Sequence, residues 1–235
     1  MKKLALYSLM LSFVLLGFTS CNDDEDMLTD SVVTSYVNLH MQGDGFVQVP
    51  IGTSYTDAGC TADVAGEDVT STIVTTGLDE VDVNKVGLYY ITYSATNKDG
   101  FSATVSRTVA VCDPSITTDL SGVWTGMPGT KRVTSSGEVP YPGYSIKITQ
   151  AAPGIFYVSD YLGGYYDQRA GYGSAYAMKG YVQLLADNSL EILSGDVPGW
   201  GDSYDDFEGS YDPVTGTISY VVVYAGMDFN VVLSK

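Results

Sequence analysis

From Gly87 to Ala95 the chain alternates strictly, with Tyr89, Ile91, Tyr93 and Ala95 on one side and Leu88, Tyr90, Thr92 and Ser94 on the other. Successive side chains of an extended strand point to opposite faces, so a period of two calls for a sheet with one face buried and the other wet. Asn97-Lys98-Asp99-Gly100 then closes a hairpin, Gly100 being able to take the positive φ of a tight turn. On the return run Phe101, Ala103, Val105, Val109 and Val111 share a face. The same pattern recurs downstream. Asp212-Pro213-Val214-Thr215-Gly216 fits a type I turn followed by a left-handed glycine, between strands expected at 206–211 and 217–224. Asp187-Asn188-Ser189 turns between Val182-Gln183-Leu184-Leu185 and Leu190-Glu191-Ile192-Leu193. Further strands are expected at 122–127, 144–149, 155–162, 176–185 and 227–233. With 26 glycines, 19 tyrosines and almost no helical periodicity, the chain reads as all-β. Eight short strands in succession predict an antiparallel meander closed into a barrel, which leaves no edge open.

A leader, a tether and two domains account for the length. Met1-Lys2-Lys3 precedes an apolar run from Leu4 to Phe18, a signal-peptide core too short to span a bilayer comfortably. Leu16-Gly17-Phe18-Thr19-Ser20-Cys21 resembles a bacterial lipobox, which implies cleavage after residue 20 and acylation of Cys21. One chain anchors marginally and two or three anchor stably. Asn22-Asp23-Asp24-Glu25-Asp26 follows at once and resembles the export signal of Bacteroidetes lipoproteins, which implies an outer-membrane lipoprotein facing the exterior. Read from its charge alone, the same run is a solvated spacer, and residues 22–35 form a tether of roughly 20 Å. The expected organisation is a leader at 1–20, an acidic tether at 21–35, an Ig-like β-sandwich at 36–113 and an antiparallel β domain at 118–235.

Three motifs mark the first domain: Tyr55-Thr56-Asp57-Ala58-Gly59, then Gly87-x-Tyr89-x-Ile91-x-Tyr93-x-Ala95, then Arg107-Thr108-Val109-Ala110-Val111. In that order they resemble the bacterial surface Ig-like domains of Bacteroidetes lipoproteins, which serve as spacers or adhesive modules. The resemblance implies that the Tyr89 hydroxyl bonds backbone across a corner. In the second domain, Leu120-Ser121-Gly122-Val123-Trp124 is similar to the Gly-x-Trp opening of lipocalin-like domains. That implies a tryptophan plugging one barrel end and leaves open a cavity for a small apolar ligand. Taken as a residue, Trp124 fills a core.

Charge and composition restrict function. Without Lys2 and Lys3 the 11 bases become 9 against 28 acids, a formal charge of minus 19 that repels nucleic acid and anionic lipid. The single histidine, His40, has no nucleophile motif beside it and reads as a surface strand residue. No zinc spacing or phosphate-cradling loop occurs, so no cofactor, metal or catalytic role is expected. Asp196, Asp202, Asp205, Asp206 and Glu208 offer oxygen atoms to calcium, yet match no EF-hand spacing and read as a solvated acidic loop. An exported chain sits where disulfides persist. The family pattern places Cys60 inward, whereas Cys112 follows inward Val111 and points outward. That parity counts against a bridge, and the alternatives are a disulfide or two separate thiols, one buried and one near the linker.

Binding is expected in the aromatic loops of the second domain, which holds 13 of the 19 tyrosines and both tryptophans. Tyr161-Leu162-Gly163-Gly164-Tyr165-Tyr166-Asp167-Gln168-Arg169-Ala170-Gly171-Tyr172 and Gly199-Trp200-Gly201-Asp202-Ser203-Tyr204-Asp205-Asp206-Phe207 set flat rings among carboxylates and amides. Sugar rings offer apolar C–H faces to such rings and hydroxyls to the polar groups. Trp200, Tyr204, Tyr165, Tyr166, Tyr172 and Asp202 are therefore the expected ligand-binding residues. The opposing reading makes these tyrosines ordinary strand and turn residues. The expected function is that of a non-catalytic surface lipoprotein, held to the membrane by acyl chains. It would bind polysaccharide beside an outer-membrane uptake complex, with the Ig-like domain as spacer. The alternative is a structural or adhesive protein that binds another protein.

Overall fold

The computed structural model describes residues 34–235. The expected leader, the lipidated Cys21 and nearly all of the acidic tether lie outside them. The described chain is all-β.

The first domain is a sandwich of two small sheets. One contains β1 (Val37–Met41), β3 (Cys60–Val64) and β4 (Glu67–Asp68), paired antiparallel in the order β1-β3-β4. The other takes β2 (Phe46–Pro50), β5 (Val74–Thr76), β6 (Gly87–Thr96) and β7 (Ser102–Cys112) in the order β2-β7-β6-β5. β2 runs parallel to β7, Val47 facing Val109. The alternation of β6 is realised, with Ile91, Tyr93 and Ala95 buried, and Ile91 and Tyr93 pack against Val49, Val109 and Val111. The β6–β7 turn closes as expected, Gly100 at φ +89. The Asn97 Oδ1 accepts from the amides of Asp99 at 3.0 Å and Phe101 at 2.8 Å. The Tyr89 hydroxyl donates to the Lys85 carbonyl at 2.9 Å, the corner bond that the family resemblance implies. Phe101, placed with the inward residues, is half exposed and packs edge-on against Tyr36 at 5.4 Å.

The inward face of β7 carries one residue the sequence reading passed over. Arg107 shares parity with Val105 and Val109 and is 1 % exposed. It is held by Asp57, by the Gln42 carbonyl and, at 3.0 Å through Nε, by the Asp44 carbonyl. Asp57 in turn accepts from Tyr93, from Tyr55 at 2.9 Å and from the Gly59 amide at 2.9 Å. The first and last family motifs therefore meet in one buried, fully partnered ion pair, the arrangement that a desolvated charge requires.

The second domain is an eight-stranded antiparallel barrel. Its staves are β8 (Gly122–Gly126), β11 (Ser145–Ala152), β12 (Ile155–Val158), β13 (Gly180–Leu184), β14 (Ser189–Ile192), β17 (Asp206–Asp212), β18 (Thr217–Tyr224) and β19 (Met227–Ser234). They pair in sequence, and β19 returns to β8 through Leu233 opposite Gly126. This is the predicted meander, and Gly216 (φ +67) and Asn188 (φ +67) turn where expected. One hairpin was not foreseen. β9 (Lys131–Thr134) and β10 (Gly137–Pro140) form a flap, β9 pairing with the first half of β19. A two-residue ribbon, β15 (Asp196–Val197) with β16 (Asp202–Ser203), completes the domain.

The barrel interior is filled. Trp124 is buried and donates Nε1–H to the Leu120 carbonyl at 2.8 Å, so it is the core residue that its chemistry suggests. Around Leu120, Ile148, Tyr161, Phe207 and Tyr220 only about 10 Å³ stays open, room for no more than one water. The apolar cavity that the lipocalin resemblance left open is not formed.

The outer face of the first domain's larger sheet is not wet, as the alternation alone suggested. Ala110 and Cys112 of β7 are buried with Ala152 and Ile155 of the barrel, and Phe46, Leu88, Tyr181 and Leu193 surround them. Gln48 donates to the Ala151 carbonyl at 2.8 Å across the same junction. Cys60 and Cys112 are separate free thiols, which removes the disulfide alternative. Cys112 does point out of the sandwich, as its parity requires, but the barrel covers it. The buried thiol is thus the one next to the linker, while Cys60 is half-buried.

Candidate functional site

Two loops build one aromatic face at an end of the barrel. The first joins β12 to β13 and hangs on Asp160, which is 2 % exposed. Its Oδ1 accepts from the amides of Leu162 at 2.9 Å and Met178 at 3.1 Å, and its Oδ2 from that of Gly164 at 3.0 Å. One carboxylate thus fastens both ends of a loop that would otherwise leave amides unpaired. Burial pushes the Asp160 carboxyl up to about 7, against the pull of those three donors. Gly164 must be glycine, since its φ is +83 and a Cβ would lie 2.7 Å from that of Tyr144. Beyond it, Tyr165–Arg169 makes a single π-helical turn, with the Ala170 amide donating to the Tyr165 carbonyl at 2.9 Å. Here 155–162 and 176–185, read as strands, break off: β12 ends at Val158 and β13 begins at Gly180.

The second loop lies between β15 and β16 and carries Trp200. The Gly199 amide donates to the Ala175 carbonyl at 2.7 Å, which ties the two loops together. A Cβ on Gly199 would meet the Tyr176 ring at 2.7 Å, so the close approach depends on the glycine.

Trp200 stands 44 % exposed at the centre of the face. Tyr166 and Tyr176 meet it at 4.8 Å between ring centroids, Tyr172 at 6.3 Å edge-on, and Tyr224 at 6.3 Å stacked within 26°. Tyr172 is 57 % exposed and lies nearly parallel to Tyr166, at 18° and 6.1 Å. Asp202 accepts from the Tyr224 hydroxyl at 2.8 Å. Burial and then this carboxylate raise the Tyr224 phenol well above its ordinary range. Trp200, Tyr166, Tyr172 and Asp202 are thus brought together as expected.

Two expected members are not on this face. Tyr165 is buried beneath it, edge-on to Tyr141 at 5.0 Å, Tyr166 at 4.9 Å and Phe229 at 5.5 Å, and serves as its support. Tyr204 is half-buried against the barrel core and makes no ring contact with Trp200. Tyr176 takes a place beside Trp200, and Tyr224, buried like Tyr165, packs against it as a second support. Tyr224 was legible only as a strand residue, and Tyr176 only as the start of a strand.

The remaining candidates do not assemble a site. His40 is 58 % exposed and its Nε2 lies 2.6 Å from Asp63. Among the described residues no three His, Cys, Asp or Glu side chains gather as metal ligands, and Asp196, Asp205, Asp206 and Glu208 are exposed. No helix among those residues is long and apolar enough to cross a membrane.

Comparison with known proteins follows the same division. The model of the bacterial surface protein, Ig-like domain, matches residues 39–111, and a family model of a C-terminal domain matches residues 113–235. The crystal structure of the lipoprotein BT2262 from Bacteroides thetaiotaomicron is 42 % identical, over 85 % of this chain and 100 % of that one, with a TM-score of 0.49. A structure of CBM51-2 in complex with GlcNAc and INT domains from Clostridium perfringens ZmpB aligns at 17 % identity over 52 % of this chain and 28 % of that one. Its TM-score is 0.26, too low to bear on either domain. No curated protein matches. On the shared sequence, the chain belongs to the family of the Bacteroides lipoprotein BT2262, its bacterial surface Ig-like domain preceding the family's C-terminal domain.

Proposed function

We propose that this chain is a non-catalytic lipoprotein of the outer membrane, anchored through Cys21 and facing outward, that binds polysaccharide on the aromatic face around Trp200. The observation that carries the reading is the exposure of Trp200 and Tyr172 on two glycine-shaped loops, the first held by the buried Asp160 and the second tied to it through the Gly199 amide. Folding of the barrel alone gives no reason to leave such rings to water, and a sugar ring offers them an apolar face while its hydroxyls reach Asp202 and the tyrosine hydroxyls. The Ig-like domain acts as a docked spacer, and the surface placement suits delivery to an uptake complex in the same membrane.

Affinity electrophoresis of the full chain through gels of different polysaccharides tests this, with Trp200→Ala as the control. Retardation on at least one polysaccharide, abolished by the substitution, supports the reading. Uniform mobility on all of them refutes it and favours the second reading, a protein partner. For that reading the exposed Tyr36–Phe101 pair of the first domain is the surface to test. Anchorage is checked separately: Cys21→Ser should release the protein from the membrane fraction, and protease treatment of intact cells should remove the wild type.

A further inference from the structure

The chain has three arginines, and they live in opposite circumstances. Arg107 shows what a structural arginine looks like in this protein, with a carboxylate and backbone carbonyls around its guanidinium. Arg132 and Arg169 have no such company. Both lie over the ring of Tyr165, at 4.7 Å and 5.0 Å from its centroid. Among the described residues neither forms an ion pair, in a molecule whose acids outnumber its bases 28 to 11. The Arg132 Nε is buried and has no hydrogen-bond partner. The half-buried Arg132, with its Nε shut off from water, is costly unless an acceptor completes it, and the exposed Arg169 stands over the same ring.

Their position is the second half of the argument. Tyr165 touches Tyr166, and Tyr166 touches Trp200, so the cationic pair borders the aromatic face. Arg132 also lies close enough to the Tyr166 hydroxyl to oppose the upward shift that burial gives this phenol. Arg132 arrives on β9, the flap absent from the sequence reading, and Arg169 on the π-helical turn. An acid is also near, Asp202 on the hydroxyl of Tyr224, whose ring meets that of Tyr166 at 6.4 Å. The rings around Trp200 therefore have both cationic groups, at Tyr165, and a carboxylate, on Tyr224, beside them.

We infer that the polysaccharide bound on this face carries carboxylates, a uronic-acid polymer whose sugar ring stacks at Trp200 while its acid group sits between Arg132 and Arg169. Planar guanidinium matches carboxylate with paired, charge-assisted bonds, and each of the two side chains rests against the Tyr165 ring. The inference rests on the polysaccharide reading above and adds the charge of the sugar.

The test uses full-length protein in detergent against polygalacturonate, alginate and hyaluronan, each also in its carboxyl-reduced, neutral form. The expected result is binding to at least one acidic polymer and loss of binding to its reduced form. Arg132→Gln/Arg169→Gln should weaken the acidic interaction about tenfold or more. Arg169 is exposed, so Arg169→Gln alone keeps the core and must by itself weaken binding, with an unchanged near-ultraviolet circular dichroism spectrum. Equal retention on acidic and reduced polymers, or arginine variants that bind like the wild type, overturns the inference and leaves the polysaccharide reading standing. Retention on none of the six overturns this inference, and so does capture of polyglutamate in their place; neutral glycans retained in the broader gels would then keep the parent reading alive.

Discussion

Replacing Arg107 with methionine would leave Asp57 charged among Tyr55, Tyr93 and the Gly59 amide with no cation. Removing one partner of a buried pair costs about 3–5 kcal/mol, far more than a surface ion pair contributes. Urea unfolding of Arg107→Met should show a loss of that size, and a loss under 1 kcal/mol would mean that the pair is dispensable. The same carboxylate gives an acid limb to stability. Burial alone would raise the Asp57 carboxyl, but the bonds from Tyr93, Tyr55 and Gly59 and the Arg107 charge outweigh it and hold it below its ordinary 3.8. The folded state then binds fewer protons than the unfolded one, so its contribution is present above pH 3.8 and fades as pH falls through the lower folded value. Part of this was legible: parity along β7 places residue 107 inward between Val105 and Val109. What parity could not supply is the partner, because Asp57 lies in a separate motif and only the fold brings the two together.

The loop between β12 and β13 depends on one carboxylate, which makes its order a matter of pH. Between the ordinary 3.8 and about 7, folded Asp160 holds a proton that the unfolded chain has released. Its stabilising contribution is therefore complete below pH 3.8 and is lost as pH rises through 7, the reverse of Asp57. Asp160→Asn removes this titration. Melting of the two proteins from pH 4 to pH 8 should show the wild type losing stability relative to the variant as pH rises, and a constant difference would rule the effect out. Gly164→Ala attacks the same loop through sterics, setting a Cβ 2.7 Å from that of Tyr144 at a φ of +83. A cost of about 1–3 kcal/mol is expected, together with a change in the Trp200 fluorescence that a remote defect would not produce. The hairpins around these loops were legible because Asp212-Pro213 with Gly216, or Asn97 with Gly100, write their turn chemistry locally. The loop itself was not. Asp160 bonds Met178 from 18 positions away, and the rings on either side read as ordinary strand residues.

At the scale of the molecule, the Ig-like domain and the barrel share a core. The alternation assigned Leu88 to the wet face, and its apolar side chain, like that of Ala110, is covered instead. What covers them, Ile155 and Ala152, sits beyond the linker and has no pattern that names its partner. Because Ala110, Cys112 and Ile155 are all buried in that junction, the two domains should unfold in one calorimetric transition. Ile155→Asp places an unpaired charge there, which neither domain needs for its own core. The transition should then split in two, and the thiol of Cys112 should report the opening directly. Burial and then Asp113 raise that thiol and keep it unreactive in the closed form. In a Cys21→Ser, Cys60→Ser background, Cys112 should resist a thiol reagent until the protein unfolds, and react at once in the Ile155→Asp variant. Rapid labelling of the parent would mean that the junction opens freely and that the barrel swings on its linker; slow labelling in both would mean that Cys112 is protected by the sandwich alone.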